Sequence, residues 1–465
     1  GGPGVEVTDP VTYELTDSNR ALFTHLVPGT TEPIYKGPAI DANGTLTYTP
    51  VAGQYGAAVI TVRARDAGGT ANNGIDLSAP QTFTITINPQ NPSYRVLGTQ
   101  ELANTALTAG NQEAPAIASD GLGNRVVVWQ GPPSVGTGTE IYMQIYAANG
   151  APIGGNVLVN QTTAGDQLFP QAAMDPQGNV YVTWSTGDAS TNNLDIAARK
   201  FNAFGVPVTD EFIVNNYTSD AQMLSDIGVD ASGAFVVTWA SGQLVGGPTN
   251  TTQDGSGFGV YYRRYDANAA AIGSNDLPVH TATSSHQQYP SIAVTPLGGF
   301  VVAWDDDEGA GRIVSRVFNA DGTSSAEITV SAALGQIVPE VAADADGDYV
   351  VVWPDPSGAD GSGSSLRAGR HNRGGTQLSQ WVVNLGTPAA TGPQYDPTVA
   401  MDADGDFAIT WAGEGVDSKG VIESAGVYFQ RYTRTGTLIG TATRVNQTTP
   451  GTQGSPSAAM DADGD

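Results

Sequence analysis

The chain has no cysteine, three lysines and four histidines, and each shortage closes off a kind of chemistry. Without thiols there is no disulfide framework, no thiolate metal site and no cysteine nucleophile. His25, His280, His286 and His371 are too scattered to announce a zinc centre. Lys36, Lys200 and Lys419 stand alone, unlike the basic clusters of a phosphate or nucleic-acid groove. Positive charge is scarce overall: 46 acidic against 19 basic side chains give a net charge of −27, which argues against DNA, RNA or anionic lipid as partners and favours cations. No apolar run approaches the roughly twenty residues that cross a bilayer, so no membrane insertion is expected within this chain. The opening GGPGVEV lacks the basic region and apolar core of a signal peptide; an export address, if used, has been removed or lies upstream.

Repetition is abundant. Glutamine stands three residues ahead of a Pro or Ser at Gln112, Gln167, Gln222, Gln287, Gln336, Gln394 and Gln453. Six of the apolar runs that follow finish on tryptophan, at Trp129, Trp184, Trp239, Trp304, Trp353 and Trp411. A unit such as PTVAMDADGDFAITW reads as a short strand, an Asp-Gly turn and a second strand. A third strand follows, as in VYYRRY (260–265), then a fourth that closes on a polar residue at Asn160, Asn215, His280, Asn384 or Asn446. In FVVTW (235–239) both alternating faces are apolar or small, so the strand is covered on both sides. Four short strands recurring every 49 to 65 residues are the signature of propeller blades stacked around an axis.

The expected fold class is therefore all-β: a multi-bladed β-propeller over residues 94–465, with about seven four-stranded antiparallel blades. The last blade is incomplete or shared between the two ends. Each glutamine amide is read as satisfying backbone groups where the chain passes between blades, and each tryptophan as inter-blade core. Residues 1–90 stand apart. GTLTYTP (44–50), AAVITVRARD (57–66) and QTFTITINP (81–89) alternate as strands of a small β-sandwich do, N-terminally incomplete, with PQNP (89–92) as the linker.

The sharpest chemical pattern is the DADGD turn: Asp344, Asp346 and Asp348; Asp402, Asp404 and Asp406; Asp461, Asp463 and Asp465. Alternate carboxylates around a tight turn can converge on a hard cation, so calcium is the expected metal and these nine residues its ligands. The competing reading is an Asp-Gly hairpin whose side chains cap their own backbone. Earlier copies, DGLGN, DPQGN, DASGA and TPLGG, keep the turn with one carboxylate or none. The loops DGSGFG (254–259) and ADGSGSS (359–365) read as solvent-facing rim segments able to touch a ligand. No paired-carboxylate, Ser/His/Asp or Arg-cluster constellation is visible in the sequence.

The order PTVAMDADGDFAITW, GVYFQRY, RVN and TTPGTQGSP resembles the repeat of very large secreted or cell-surface proteins of environmental bacteria, of planctomycete and cyanobacterial type. Units one and four depart from it at the turn, and unit five has LRAGRHN in place of the aromatic strand ending. Residues 12–90, with TYELTDSNRALF and DAGGTANNGIDLSAPQTFTITINP, are similar to the latter part of a cadherin-like or immunoglobulin-like tandem domain. Both ends resemble interior points of longer modules.

The resemblance implies a secreted or cell-surface location. It also implies a non-enzymatic structural and adhesive role, with calcium stiffening the acidic turns. The partners it implies are other copies of the chain, other surface or matrix proteins, or polysaccharide. Two alternatives stand beside it. A carbohydrate- or ligand-binding propeller would collect exposed aromatics, with Trp381 the residue to inspect. A glycoside hydrolase-like propeller would line its central channel or mouth with several carboxylates and an arginine.

Overall fold

The computed structural model describes residues 11–18, 23–26, 33–41, 44–49, 56–65, 77–87, 100–106, 110–133, 138–191, 193–243, 253–284, 286–307, 311–332, 335, 337–361, 363–383, 392–414, 426–447, 453–462 and 464. Gln336, Asn384, Asp463, Asp465 and the proposed linker at 89–92 fall outside them. The chain divides into two compact units, residues 1–97 and 98–465.

In the first unit, Gly56–Arg65 lies between Thr12–Asp17 and Gln81–Ile87 in a three-stranded antiparallel sheet. Two short ladders accompany it, Thr24–Leu26 with Pro33–Tyr35 and Ala39–Ile40 with Leu46–Thr47. Alternation in the long strand buries Ala58 and Ile60 against Phe23 and Ile85, while Val59 between them is exposed.

The second unit is a series of four-stranded antiparallel sheets, each with its strands in chain order. Their first strands are Glu113–Ser119, Asp166–Met174, Ala221–Val229, Gln287–Val294, Glu340–Ala343 and Gln394–Met401. In the third sheet these continue as Phe235–Gly242, Gly259–Tyr265 and Ala271–Pro278. Second strands are buried on both faces, as FVVTW predicts, because successive sheets pack face to face. Val126 and Val128 of one sheet share a core with Val180, Val182 and Trp184 of the next. Trp184, Trp239, Trp304, Trp353 and Trp411 are fully buried.

The repeated polar residues hold each sheet's corners. In the first three sheets the glutamine accepts the indole proton, from Trp129 to Gln112 at 3.0 Å and from Trp184 and Trp239 to Gln167 and Gln222 at 2.9 Å, whereas the buried indole nitrogens of Trp304, Trp353 and Trp411 make no well-formed hydrogen bond. The glutamine amide donates to backbone, from Gln222 to Asp220 O at 3.0 Å and from Gln287 to Ser284 O at 2.9 Å. The residue closing the fourth strand caps the third: Asn160, Asn215 and Asn446 accept from Ile141, Ile196 and Val427 N, and His280 Nδ1 accepts from Val260 N.

First strands of successive sheets lie side by side, and one contact recurs between them. Ile292 N donates to Asp226 Oδ2 of the preceding sheet at 2.8 Å, and Val341 N to Ser291 Oγ at 3.1 Å. Ile117 N makes the equivalent bond to Ser457 Oγ at 3.2 Å, and Ser119 Oγ donates to Met460 O at 2.8 Å. Residues 456–461 therefore stand beside the first sheet as each sheet stands beside its successor.

Candidate active site

Five of the six first strands carry a bulge just before their Pro or Ser, and the fifth sheet's strand begins just after it. Register shifts there, and the residue ahead of it has a left-handed backbone: Ala114 (φ 48°), Phe169 (53°), Leu224 (53°), Tyr289 (50°), Val338 (54°), Asp396 (48°) and Ser455 (50°). None of these is glycine, so the strain of the left-handed region is repeated seven times, and bulges of this kind re-aim side chains. Where these residues of five consecutive sheets converge they line a cavity of about 200 Å³, walled by Phe169, Gln171, Ser225, Asp226, Tyr289 and Glu340 among others.

Asp226, Ser291 and Glu340 come from three consecutive sheets, each one residue past its Pro or Ser. Asp226 Oδ1 accepts from Ile227 N and Oδ2 from Ile292 N, both at 2.8 Å. Burial pushes its carboxyl up to about 6, against the pull of those backbone donors and of the Ser291 hydroxyl. Glu340 Oε2 lies 3.1 Å from Ser291 Oγ. Burial and then the neighbouring Asp226 charge push its carboxyl up to about 8. The Ser291 hydroxyl thus bonds to Glu340, and the Asp226 carboxyl lies near enough for its charge to act on Glu340. No arginine, lysine or histidine is among the lining residues.

A further raised carboxyl belongs to Asp305, beside Trp304 in the second strand of the fourth sheet. Burial and Asp307 push it up to about 7, while Gln288 N donates to it at 3.1 Å. Its neighbour Asp306 is paired with Arg312 at 2.8 Å, and Asp355 with Arg367. None of these lines the cavity.

The first carboxylate of each described acidic turn caps its own backbone. Asp344 Oδ1 accepts from Asp346 N (3.0 Å) and Asp348 N (2.9 Å), and Asp402 Oδ1 from Asp404 N (3.0 Å) and Asp406 N (2.9 Å). Asp120, Asp175 and Asp230 close their turns in the same way without further carboxylates. Asp348 is engaged by Arg370 at 3.2 Å and by Arg373 N, and Asp406 by Arg434 N. Asp461 is buried in the turn near Gly123, while Asp463 and Asp465 lie outside the described residues. Among the described residues, no group of three or more His, Asp or Glu side chains is gathered as a metal site would be.

The loop 254–259 faces solvent only in part, at Gly255. Phe258 and Gly259 are buried, and the buried side chain of Asp254 lies 3.6 Å from His280 Nε2. Trp381 is half-buried between Phe407 (6.0 Å) and Tyr432 (5.5 Å), so it packs the fourth strand of one sheet on the next.

The carboxyl pair was not anticipated. Its signal was the column after each Pro or Ser, which reads Ala116, Gln171, Asp226, Ser291, Glu340, Thr398 and Ser457: polar in every copy but the first, inside an otherwise apolar run.

No family model matches the chain, and no curated protein does. Solved structures resemble it in repeated β-sheet architecture. A protein of unknown function from Dyadobacter fermentans aligns with a TM-score of 0.46 at 10% identity, over 69% of this chain and 94% of that one. A polysaccharide lyase of family 25, an ulvan lyase, gives 0.47 at 11% over 82% and 90%. Trypanosoma rangeli sialidase gives 0.42 at 13% over 68% of this chain and 53% of its own, so the chain spans about half that sialidase's length. Among described residues, no helix is long and apolar enough to cross a membrane.

The expectation of a non-enzymatic structural and adhesive protein is corrected at this point. That expectation rested in part on the absence of paired carboxylates, and Asp226 beside Glu340 in one cavity removes that part of its premise.

Proposed function

We propose that residues 98–465 form a closed propeller with seven blade positions, and that its central cavity cleaves glycosidic bonds by general acid–base chemistry. Closure is supported by a second recurring contact. The turn carboxylate of each sheet except the fourth, which has Thr295 there, faces the turn glycine of the next. A Cβ on Gly178, Gly233, Gly298, Gly405 or Gly464 would lie within 3.4 Å of Oδ2 of Asp120, Asp175, Asp230, Asp344 or Asp402 respectively. The series returns to its start at Gly123, where a Cβ would be 2.9 Å from Asp461 Oδ2.

The observation that carries the activity is the pair of carboxyls with unequal proton affinity in one cavity. Glycoside hydrolysis needs one protonated carboxyl to donate to the leaving oxygen and one ionised carboxyl to activate water or attack the sugar. Glu340, raised to about 8, holds its proton at neutral pH and acts as the acid; Asp226, raised to about 6, is ionised there and acts as the base. Tyr289 and Phe169, the latter 39% exposed, offer ring faces to a sugar, and Gln171 and Ser225 offer an amide and a hydroxyl. The cavity is small beside the ~300–1,000 Å³ of sites for drug-sized ligands, which suits one sugar ring held at the point of cleavage. Lacking any cationic lining residue, it favours uncharged over acidic sugars. A polymeric substrate of this kind is met outside the cell, at a surface or in a matrix.

Reducing-end release from a panel of neutral and acidic polysaccharides tests the proposal. Glu340→Gln and Asp226→Asn should each lower turnover by about 10²-fold or more on any glycan cleaved, the range for loss of a positioned acid or base. Cleavage unchanged in both variants, or no cleavage of any glycan, would overturn it.

A further inference from the structure

We propose that the cavity takes β-linked glycans of glucose configuration, that Phe169 is the residue that selects them, and that Gln130 is the positioning residue that sets the Phe169 ring. The inference rests on the reading of the cavity as a sugar site and adds which sugar it takes.

The lining falls into two layers along the first strands. The residue with left-handed backbone is apolar or aromatic in all five lining sheets: Ala114, Phe169, Leu224, Tyr289 and Val338. The residue after it is proline in four of the five, and the polar groups Gln171, Asp226 and Glu340 come one residue further on. An apolar collar thus stands ahead of a polar floor. It stops at the sixth sheet, where the same place is held by exposed Asp396, and exposed Ser455 holds it beyond.

Phe169 is the collar residue that presents a ring to solvent, at 39% exposure. A phenylalanine with left-handed backbone is rare and persists only where its surroundings hold it. Here the hold comes from the preceding sheet: Gln130, buried beside Trp129 in the second strand, accepts from Phe169 N through Oε1 at 2.8 Å. The other sheets have Ser185, Ala240, Asp305, Pro354 and Ala412 after their tryptophan, and Asp305 bonds within its own sheet, to Gln288 N. The Gln130 bond therefore serves one ring rather than the repeat. Tyr289 stands two sheets further on, so the two aromatic residues flank the strand that carries Asp226.

A sugar stacks on an aromatic ring through a C–H face. In a β-linked glucose unit every hydroxyl and the linkage are equatorial, so both faces are C–H and the oxygens lie around the rim. Mannose and galactose each set one ring hydroxyl axial, which would press an oxygen against the collar where it finds no partner.

The test measures binding of β-linked trisaccharides of glucose, mannose and galactose to the full chain by calorimetry. The glucose trimer should bind about 10-fold more tightly than the other two. Phe169→Ala should weaken the glucose trimer by about 10-fold and remove the preference, with the urea midpoint near native because the ring is half out of the core. Gln130→Met fills a similar volume without an acceptor; it should weaken the glucose trimer and speed hydrogen exchange at the Phe169 amide, and Gln130→Glu, which keeps an acceptor, should recover both. Equal affinity for the three trimers, binding of none, or unchanged affinity in Phe169→Ala overturns the inference, whether or not any glycan is cleaved. Faster exchange in Gln130→Met with unchanged affinity overturns the role of Gln130. Selective binding of the glucose trimer without cleavage supports the inference while overturning the acid–base reading.

Discussion

His371 shows how one residue can be out of step with its repeat. Third strands end on an aromatic that stacks on the ring opening the second strand: Phe235 on Tyr265 at 4.8 Å, Phe300 on Phe318 at 4.5 Å, Phe407 on Tyr432 at 5.0 Å. LRAGRHN seemed to lack that ending, but the His371 ring fills the place, stacked on Tyr349 at 4.8 Å. It is fully buried and neither ring nitrogen makes a well-formed hydrogen bond, and burial drops its pKa to about 4. The folded state thus holds His371 neutral while the unfolded chain protonates near 6.5. The native state keeps this contribution above about 6.5 and loses it as pH falls to about 4, by about 3 kcal/mol in all. His371→Phe should remove that dependence, so the stability gap between variant and native chain, read by urea unfolding, should widen between pH 7 and pH 4. A gap that does not change with pH would place the acid sensitivity elsewhere.

At the scale of the strand and turn, much was legible and the site was not. Glutamine, tryptophan and the closing asparagine recur because each sheet must solve the same local problem, the indole proton and the strand-end N–H, and a repeated problem leaves a repeated residue. Asp226 and Glu340 occur once each and meet only across sheets: Asp226 and Ile292 N are 66 residues apart in sequence, and Ser291 and Glu340 are 49. No local pattern encodes such a meeting. The DADGD turns have a backbone role of their own. Their first carboxylate does the same backbone work in copies that have no second one, so Asp402→Ala should cost about 1–2 kcal/mol through lost turn bonds, while Asp404→Ala should be nearly neutral. Chemical denaturation of the two variants, in chelator and again in millimolar calcium, checks this. A loss for Asp404→Ala that appears only with calcium would assign the outer carboxylates a shared ligand. Burial of the indoles sets the larger scale of sheet packing: Trp304→Ala should cost about 3–5 kcal/mol.

For the molecule as a whole, the segment at 456–461 is a structural neighbour of the first sheet. In an open row of sheets this segment could contact only the sixth sheet, which precedes it in sequence; here Ile117 N, Ser119 Oγ and Gly123 all meet it, across a separation of more than three hundred residues. Deleting residues 453–465 should therefore expose the inner edge of the first sheet as well as the last, and destabilise both. Hydrogen exchange gives the reading: protection should fall at Ile117 and neighbouring amides of Glu113–Ser119 as strongly as in the sixth sheet. The mild variant Ser457→Ala should lower protection at Ile117 alone, since it removes one acceptor and leaves the segment in place. Loss confined to the sixth sheet after deletion would show that the ends do not meet. The cavity would then lack the continuous wall that keeps Asp226 and Glu340 out of water, and with it the cause of their raised proton affinity.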